Sequence, residues 1–584
     1  MVLVNALDKH TRLSVGENGC TEYTWSNNYQ EKCAQFFFQL VRTKNTVQLE
    51  YVLNDLLLTF KNCSNPSQHI HLLSLLYKMI GQTRDIVNGK GEYNLTFSQI
   101  WVWYQHYPEL ATYAFEKCVR WCDEGTEYSI HPYGSWKDIK YFSEFVKVRS
   151  GRDDHPLIVH AINLIAAQLR ADLIRKRAGE PVSLAGKWCP REKSRFGWLY
   201  SKIVKQMVPI YFETTKTGKQ YSAAMRKGCK EVRKILSELN AYLSTTQVAQ
   251  CAKEWSTINF NNVTSVTMRK NTLAFQNTTK TGVQRSLSID RIECSENLKS
   301  HVASALSGGT DKIHGKRVAA YELVRDALDA EQNPSRRDIV NLQWKDNNTQ
   351  NGALRNFIPM ADVSASMTID NSVPLFNAIG LSLRVAEKTT KEFRDRVLTF
   401  SSHPEWVNLS NCPTFCEKVY KVQGSNWSMN TNLVAALKMI LDVIIANNML
   451  PEDVENLALV IFSDMQIDNA SQEDTGTIFD KITQMYAEAG LSLNGVPYKP
   501  PHILFWNLRH TNGFPTLSSQ KNVTMLSGYS PLLLNVFCEK GIEGLQECTP
   551  YKMITELMSH DRYSPLENKL MSQVMSSVSR LNEQ

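Results

Sequence analysis

Apolar residues recur at helical spacing through most of the first 340 residues of the chain. The pattern is clearest at 51–60 and 72–80, where leucines and aromatic residues return every three or four positions. The same spacing predicts further helices at 109–122, 136–149, 156–177, 196–211, 222–244 and 316–330. Strand patterns are few, and successive helices are joined by short turns such as 131–134. This part of the sequence predicts an all-α helical repeat, a solenoid or ring of stacked helix pairs.

The pattern changes after about residue 345. An asparagine-rich polar segment at 346–356 predicts a linker or loop, and strands alternate with helices beyond it. Strands are predicted at 357–361, 396–400, 405–409, 457–463, 502–507 and 523–526, and helices at 374–388, 431–446, 476–489 and 531–539. Such alternation predicts parallel strands covered by helices, with ligands at the carboxyl ends of the strands. We therefore expect a multidomain chain, with a HEAT-like helical repeat at 1–345 and an α/β, Rossmann-like domain at 357–584.

Charge divides the chain in the same way. The 584 residues carry a net charge of +7, and residues 1–340 hold 46 Lys and Arg against 33 Asp and Glu. Residues 341–584 hold 19 against 25, whereas residues 151–300 alone hold 25 against 12. A basic half joined to a mildly acidic half predicts that a polyanion binds the first. With 42% hydrophobic and 21% charged residues, most of the chain is expected to fold.

Neither a secretion signal nor a membrane span is expected. Residues 1–9 contain no basic segment followed by a long apolar stretch. The long apolar segment 433–450 is interrupted by Lys438 and Asp442, so no segment is expected to cross a bilayer. We predict an intracellular, cytoplasmic protein, with a nuclear or particle-associated location left open.

Cysteine spacing gives little support to a structural metal. The 13 cysteines are scattered, and close pairs occur only at Cys118/Cys122 and Cys412/Cys416. Each pair has three intervening residues, without a second pair at zinc-finger spacing. We expect reduced, mostly buried thiols and keep zinc as the alternative.

The basic segment contains a candidate RNA-binding surface. Its cations are interleaved with the aromatic residues Trp188, Phe196, Trp198 and Tyr200, which offer stacking surfaces to unpaired bases. The candidate residues are Lys187, Arg191, Lys193, Arg195, Lys202, Lys205, Arg226, Lys230, Arg233 and Lys234. The last four fall on one helical face. The alternative is that the aromatic residues belong to the core and the cations to a solvated face.

A second candidate site lies where predicted strands of the α/β half end. Asp362-x-Ser364-x-Ser366 follows the first strand, Asp464 follows a strongly apolar strand, and Thr431 opens a helix after a polar loop. Two carboxylates and three hydroxyls make an oxygen-ligand set suited to Mg²⁺, with Mn²⁺ or Ca²⁺ as alternatives. Neutral hydroxyl ligands leave such an ion able to attract an acidic group or a phosphate. The alternative role for Asp362 and the two serines is to cap the following helix.

Catalysis is the main competing class of function. Asp362 and Asp464 are also compatible with a metal-dependent phosphohydrolase, and His403, His502 and His510 lie in the same half. No second carboxylate cluster suggests a two-metal site, and the sequence has neither a P-loop nor a nucleophile elbow. We predict a binding protein and not an enzyme.

The residues of this second candidate site resemble those of a known family. Asp362, Ser364, Ser366, Thr431 and Asp464 match the metal-ion-dependent adhesion site of von Willebrand factor A domains, and this resemblance covers about 355–584. The threonine loop departs from the common Gly-Gly-Thr form, since Met and Asn precede the threonine. The resemblance implies a von Willebrand factor A domain whose metal binds an oxygen of a partner.

The whole chain resembles the Ro autoantigen (TROVE-type) ring proteins, which join a helical-repeat ring to such an A domain. Closer similarity to relatives grouped as a domain of unknown function rests on the segments 132–138, 187–194, 462–466 and 505–507. The resemblance implies a ribonucleoprotein component that binds non-coding RNA. We therefore expect structured, misfolded or single-stranded RNA on the helical half and metal-dependent capture of an acidic ligand by the other half. A protein-interaction scaffold that uses the metal without RNA is the alternative.

Overall fold

The computed structural model describes residues 13–17, 19, 21–63, 66–121, 130–400, 404–425, 433–466, 477–538 and 542–582. A short antiparallel hairpin, β1 (Leu13–Val15) and β2 (Thr21–Tyr23), precedes the first helix. The expected succession of helices follows it, and the described part of the N-terminal half is otherwise helical. The helical prediction for this half is therefore confirmed.

The helices of the first half are short to medium in length and are joined by turns. They are α1 (Tyr29–Gln39), α2 (Val47–Lys61), α3 (Ile70–Arg84), α4 (Asn94–His106), α5 (Pro108–Val119), α6 (Asp138–Ser150), α7 (Pro156–Arg177), α8 (Ala185–Trp188), α9 (Gly197–Met207), α10 (Gly218–Tyr242), α11 (Thr246–Ala252), α12 (Ser265–Phe275), α13 (Ile289–Leu306), α14 (Ala320–Asp329) and α15 (Pro334–Asn348). Consecutive helices such as α4 and α5 pack on each other. The successive pairing of neighbours is typical of an extended helical array.

The second half is built on one six-stranded sheet. Its strands are β3 (Phe357–Asp362), β4 (Arg396–Phe400), β5 (Glu405–Asn408), β6 (Ala458–Ser463), β7 (His502–Asn507) and β8 (Val523–Ser527), in the order β5-β4-β3-β6-β7-β8. The helices of this half are α16 (Ile369–Lys388), α17 (Phe415–Gln423), α18 (Leu433–Ala446), α19 (Pro451–Glu455), α20 (Ile478–Asn494), α21 (Asn535–Cys538), α22 (Ile542–Gln546), α23 (Pro550–Ser559) and α24 (Ser564–Asn582). The predicted α/β half is confirmed.

One strand departs from the expected parallel arrangement. The β4–β3–β6–β7–β8 neighbours are all parallel, whereas β5 pairs with β4 antiparallel. The physical reason is the short connection between Phe400 and Glu405, because a parallel pairing needs a crossover of a dozen residues or more. Strand β3 is central but contains Pro359, which has no N–H to donate. This is tolerated because the pairing of β3 with β4 begins only at the next residue, Met360.

The polar segment at 346–356 is packed into the fold. Helix α15 continues to Asn348, and the buried Asn347 side chain donates to the carbonyls of Gly315 and Val318 at 2.9 Å each. Arg384 of α16 is also buried and donates to the Asn347 carbonyl at 2.8 Å. The Asn347 side chain thus satisfies buried backbone carbonyls. The prediction of a linker is therefore wrong for the start of this segment, which is packed between the two halves.

The two halves share a continuous apolar core, because each end of the chain packs on the opposite half. Helix α1 packs on β8, and α24 packs on α3 and α5. The approach of α24 is so close that a Cβ on Gly81 would lie 2.9 Å from Leu566 Cδ1. Buried Lys90 adds a polar link, since its ammonium donates to the Phe37 carbonyl at 2.8 Å and to Ser527 Oγ at 2.7 Å. The helical half therefore contacts the α/β half through an early and a late helix. Helix α1 packs on β8, and α14 packs on α16.

One helix meets the length and composition of a membrane span. Helix α7 (Pro156–Arg177) has 22 residues, and 56% of its most apolar window is buried inside the protein. The helix itself was predicted at 156–177, but its span-like length and composition were not expected. Buried core helices meet the same test, so the finding does not place the protein in a membrane.

Candidate functional site

The sheet brings Asp362 and Asp464 to one edge. Asp362 is the last residue of β3, and Asp464 directly follows Ser463, the last residue of the neighbouring parallel strand β6. Both carboxyl groups are completely buried. Ser463 Oγ donates to Asp362 Oδ2 at 2.6 Å and ties the two strand ends together. The carboxyl ends of adjacent parallel strands thus create the acidic pair that the sequence predicted.

The turn after β3 adds two hydroxyls. The Ser364 N–H donates to Asp362 Oδ1 at 2.9 Å, and this bond fixes the turn. Ser364 is buried and Ser366 half-buried, and their hydroxyl oxygens lie 3.0 Å apart. Asp370 and the two residues after it adopt left-handed φ values of 48°, 60° and 59° before α16 becomes regular. The two serines therefore face the same edge as the carboxylates.

Burial opposes negative charge on the acidic pair, and Arg509 beside Asp464 offsets this only in part. Burial, with the charge of Asp464 as the next cause, raises the pKa of Asp362 to about 7. Burial also raises the pKa of Asp464, against the opposing charge of Arg509. Asp464 Oδ1 accepts the Gln466 N–H at 3.1 Å, but no described residue donates a hydrogen bond to its buried Oδ2. A buried carboxylate oxygen without a donor is costly and fits a cation.

Arg509 and the N-terminal hairpin lie beside this pair. The Arg509 side chain follows β7, and its Nη1 lies 3.5 Å from Asp464 Oδ2. Its Nη2 donates to the Glu17 carboxylate, and the Glu17 N–H donates to Gln466 Oε1 at 2.8 Å. The hairpin is held on the sheet by paired backbone hydrogen bonds between Tyr23 and Phe514. One basic residue and one hairpin thus border the acidic edge.

The donor set fits a hard divalent cation. Asp362, Asp464, Ser364 and Ser366 offer carboxylate and hydroxyl oxygens, which Mg²⁺ prefers. In the ranges that the structure describes, no three His, Cys, Asp or Glu side chains cluster as metal ligands. Hydroxyls and water would therefore have to complete the shell. Thr431, the fifth predicted ligand, lies outside the described residues.

Sequence reasoning missed three groups at this edge. Ser463 had a local signal, because it precedes Asp464 at the end of a buried strand. Arg509 had a weaker one, since it lies two residues beyond the end of the neighbouring strand β7. Glu17 had none, because its contacts join residues more than 440 positions apart.

Half of the ten candidate RNA-binding cations lie at two cavities. Lys187, Arg191, Lys193 and Arg233 line a cavity of about 790 Å³ together with Trp188. Arg195 lines a second cavity of about 530 Å³. The structure thus joins cations from the α8 region and from α10, which are far apart in the sequence.

The other five cations line neither cavity. Lys202 pairs with Asp153 at 3.1 Å, and the Lys205 ammonium lies 4.8 Å from the centre of the Tyr221 ring. Three more are exposed along α10 and have no ion pair with a described residue. These three are Arg226, Lys230 and Lys234. Arg233, which belongs to the same predicted face, also pairs with Glu192 at 2.8 Å.

The interleaved aromatic residues divide between core and surface. Tyr200 and Phe196 are buried, and the Tyr200 hydroxyl donates to the Cys229 carbonyl at 3.1 Å. Trp188 and Trp198 are half-buried, and Trp188 lines the larger cavity. The core alternative therefore applies to Phe196 and to most of Tyr200, although Tyr200 also lines the larger cavity beside Trp188.

The cysteines offer no zinc ligand set within the described residues. Cys118 is buried, and its predicted partner Cys122 lies outside them. Burial raises the pKa of Cys416 to about 12, which opposes the thiolate that zinc requires. The described cysteines are free thiols.

Two separate stretches of the chain match family models of known proteins. Residues 146–348 match a family model described as a domain of unknown function (DUF2828), and residues 356–576 match another domain of unknown function (DUF7788). The interval between them is the segment between α15 and β3. The chain is also similar to the uncharacterized protein L728 of Acanthamoeba polyphaga mimivirus, with 26% identity over 94% of this chain and 87% of that protein. The similarity therefore extends through both halves.

Proposed function

We propose that this protein binds RNA on its helical half and binds a divalent cation, Mg²⁺ first, at the carboxyl edge of its sheet. The observation that carries the cation is the buried pair Asp362 and Asp464, with Asp464 Oδ2 lacking a hydrogen-bond donor among the described residues. Two buried carboxylates repel each other, and a cation relieves both the repulsion and the desolvation. Under this proposal, the residues that resemble the adhesion site of von Willebrand factor A domains bind the ion in this protein as well.

Each residue has a separate part in holding the ion. Ser364 and Ser366 would supply neutral oxygens, while Asp362 and Asp464 would act largely through bridging water. Neutral ligands leave the ion electron-poor, so it attracts a carboxylate or phosphate oxygen of a partner. Thr431 stays the proposed fifth ligand. The chemistry is capture of a ligand, and no catalytic step is proposed.

The helical half is proposed to bind RNA in the manner that the TROVE-type resemblance implies. Two observations support this proposal: the excess of basic over acidic residues at 151–300, and the cavity lined by Lys187, Arg191 and Lys193. Phosphate contacts of this kind give affinity without sequence readout. We propose that the protein acts inside the cell, where such RNA is available.

A manganese titration tests the cation. Mn²⁺ replaces Mg²⁺ at oxygen sites and is counted by electron paramagnetic resonance. We expect one tight Mn²⁺ in the wild type, its loss in Asp362→Ala, and its retention in Asp370→Ala, which removes an exposed carboxylate paired with Lys44 nearby. Equal Mn²⁺ binding by wild type and Asp362→Ala would exclude the site.

RNA binding is tested on protein purified from its native cells at low salt. We expect RNA to copurify, with an affinity that falls steeply as salt rises. A charge-reversal variant of Lys187, Arg191 and Lys193 should lose the RNA, and a matched variant of Arg226, Lys230 and Lys234 should lose less. Absence of RNA, together with a protein captured only in the presence of Mg²⁺, would instead support the scaffold alternative.

A further inference from the structure

The start of α6 and the end of α8 bring lysines and aromatic rings together. Lys137 Nζ lies 5.3 Å from the centre of the Tyr141 ring and 5.6 Å from that of Trp188. Lys140 Nζ lies 5.5 Å from Tyr141 and 5.0 Å from Trp188. We call Lys137, Lys140, Tyr141 and Trp188 the lysine–aromatic surface. Lys137, Lys140 and Tyr141 were not among the sequence candidates, because they lie outside the densest basic segment.

The positive charge of this surface is not neutralised by the protein. Neither Lys137 nor Lys140 forms an ion pair with any carboxylate that the structure describes, and both side chains are half-buried. Burial is the largest cause that lowers the pKa of both lysines, and repulsion from Lys137 adds to it at Lys140. A bound anion would remove this cost.

The nearby carboxylates are already engaged. Asp138 accepts hydrogen bonds from Arg84 at 2.6 and 2.8 Å inside the core. Glu144 accepts the indole N–H of Trp198 at 2.8 Å. Neither carboxylate can turn toward the lysines without breaking these hydrogen bonds. An anion that neutralises the lysines would therefore have to come from a ligand.

The surface connects the two cavities. Lys137 and Tyr141 line the cavity of about 530 Å³, together with Arg195. Trp188 lines the cavity of about 790 Å³. Both volumes lie in the range of small-molecule sites, and the lysine–aromatic surface contributes side chains to each of them. A ligand that fits must combine repeated negative charge with flat rings.

We propose that the lysine–aromatic surface binds an unpaired segment of nucleic acid, with phosphates on Lys137 and Lys140 and bases stacked on Tyr141 and Trp188. The inference rests on the proposed RNA function and narrows it to single strands. Base faces in a duplex are covered by their neighbours, so only unpaired bases can stack on recessed rings. Arg195 and the cations of the larger cavity extend the path for the backbone.

The test measures binding of a labelled oligouridylate, a blunt RNA duplex of equal length and polyphosphate by fluorescence anisotropy. Lys137→Gln/Lys140→Gln should weaken oligouridylate binding at least tenfold and reduce its salt slope by about 1.4, since each lysine neutralises one phosphate. Lys147→Gln is the control for each lysine substituted singly, because its ammonium also lies over a tryptophan, 4.3 Å from the Trp198 ring, and that ring lines neither cavity. An equal loss in the control would overturn the assignment.

Trp188→Leu tests stacking separately from charge. We expect oligouridylate binding to fall about fivefold or more, with polyphosphate binding unchanged, because one stacked base contributes on this scale. An equal loss for polyphosphate overturns stacking. Wild type that binds no RNA defeats the proposed function itself, whereas RNA binding that every variant retains defeats only this surface. Thermal unfolding of each variant confirms that it is folded.

Discussion

The guanidinium of Arg509 lies 3.5 Å from Asp464 Oδ2, and its other terminal nitrogen donates to the Glu17 carboxylate. The arginine thus lies between the acidic sheet edge and the N-terminal hairpin. A fixed positive charge at that distance lowers the attraction of the edge for a second cation. The proposed metal must compete with a side chain of the protein itself.

Arg509→Gln is therefore expected to tighten divalent-cation binding. Removing the competing charge should lower the Mn²⁺ dissociation constant roughly tenfold, which corresponds to about 1.4 kcal/mol. Calorimetric titration measures the change. Lys521→Gln is the control, because it removes one positive charge from an exposed pair with Glu547 in the same half. Unchanged or weaker binding in Arg509→Gln would contradict the competition.

Cation binding is expected to depend on pH below neutrality. The folded protein holds a proton on Asp362 up to a pKa of about 7, whereas an aspartate in an unfolded chain titrates near about 3.9. The metal-free protein therefore loses stability from this group as pH rises from about 4 to about 7. A cation must displace this proton, so its affinity should rise about tenfold per pH unit and level off near pH 7. Mn²⁺ titrations across this window check the slope, and a flat profile would refute it.

Asp464→Asn is expected to separate stability from cation binding. The substitution removes one of two buried charges and can keep the Gln466 N–H bond at Oδ1. Without metal and above about pH 7, where both carboxylates are charged, the variant should be more stable than wild type by about 1 kcal/mol, because relief of the repulsion with Asp362 outweighs the lost contact with Arg509. Added Mg²⁺ should raise the melting temperature of wild type only. A variant that is less stable without metal would show that the two carboxylates do not oppose each other.

The contact between α24 and the first half is expected to stabilise the whole protein. Just before α24, Arg562 donates to both oxygens of buried Asp85 at 2.5 and 2.9 Å. Arg562→Leu should reduce the free energy of unfolding by about 3–5 kcal/mol, because it removes the ion pair of a buried carboxylate and leaves it only the Val87 N–H and the Tyr563 hydroxyl as donors among the described residues. Arg152→Leu breaks a fully exposed pair with Asp154 and should leave the free energy of unfolding nearly unchanged, because solvent screens that pair. Urea denaturation measures both, and similar losses would contradict the argument.

The sequence predicts the sheet edge because its cause is local. Apolar runs end at Asp362 and Asp464, and parallel neighbours bring such ends together without any knowledge of distant contacts. The cations of α8 and α10 were also identified, since composition alone marks them. Which of these cations line a cavity and which lie on open surface could not be predicted. That division depends on how the helices pack, and periodicity does not specify the packing.

Contacts between distant segments could not be predicted. Glu17 reaches Arg509 across nearly the whole chain, and Lys90 reaches Ser527 in the same way. The approach of α24 to α3 depends on Gly81, which in the sequence is an ordinary glycine in a helix. Single-chain patterns report which face is apolar, but the choice of partner for that face depends on the complete fold.

The placement of α24 also sets an order of events during synthesis. The apolar face of α3 is covered by Leu566 and other residues of α24, which are translated only after the whole sheet. Until they leave the ribosome, the early helices expose a surface that the nascent chain cannot bury by itself. Final packing of the helical half therefore has to follow the synthesis of α24, and an apolar surface that stays exposed in that interval favours aggregation.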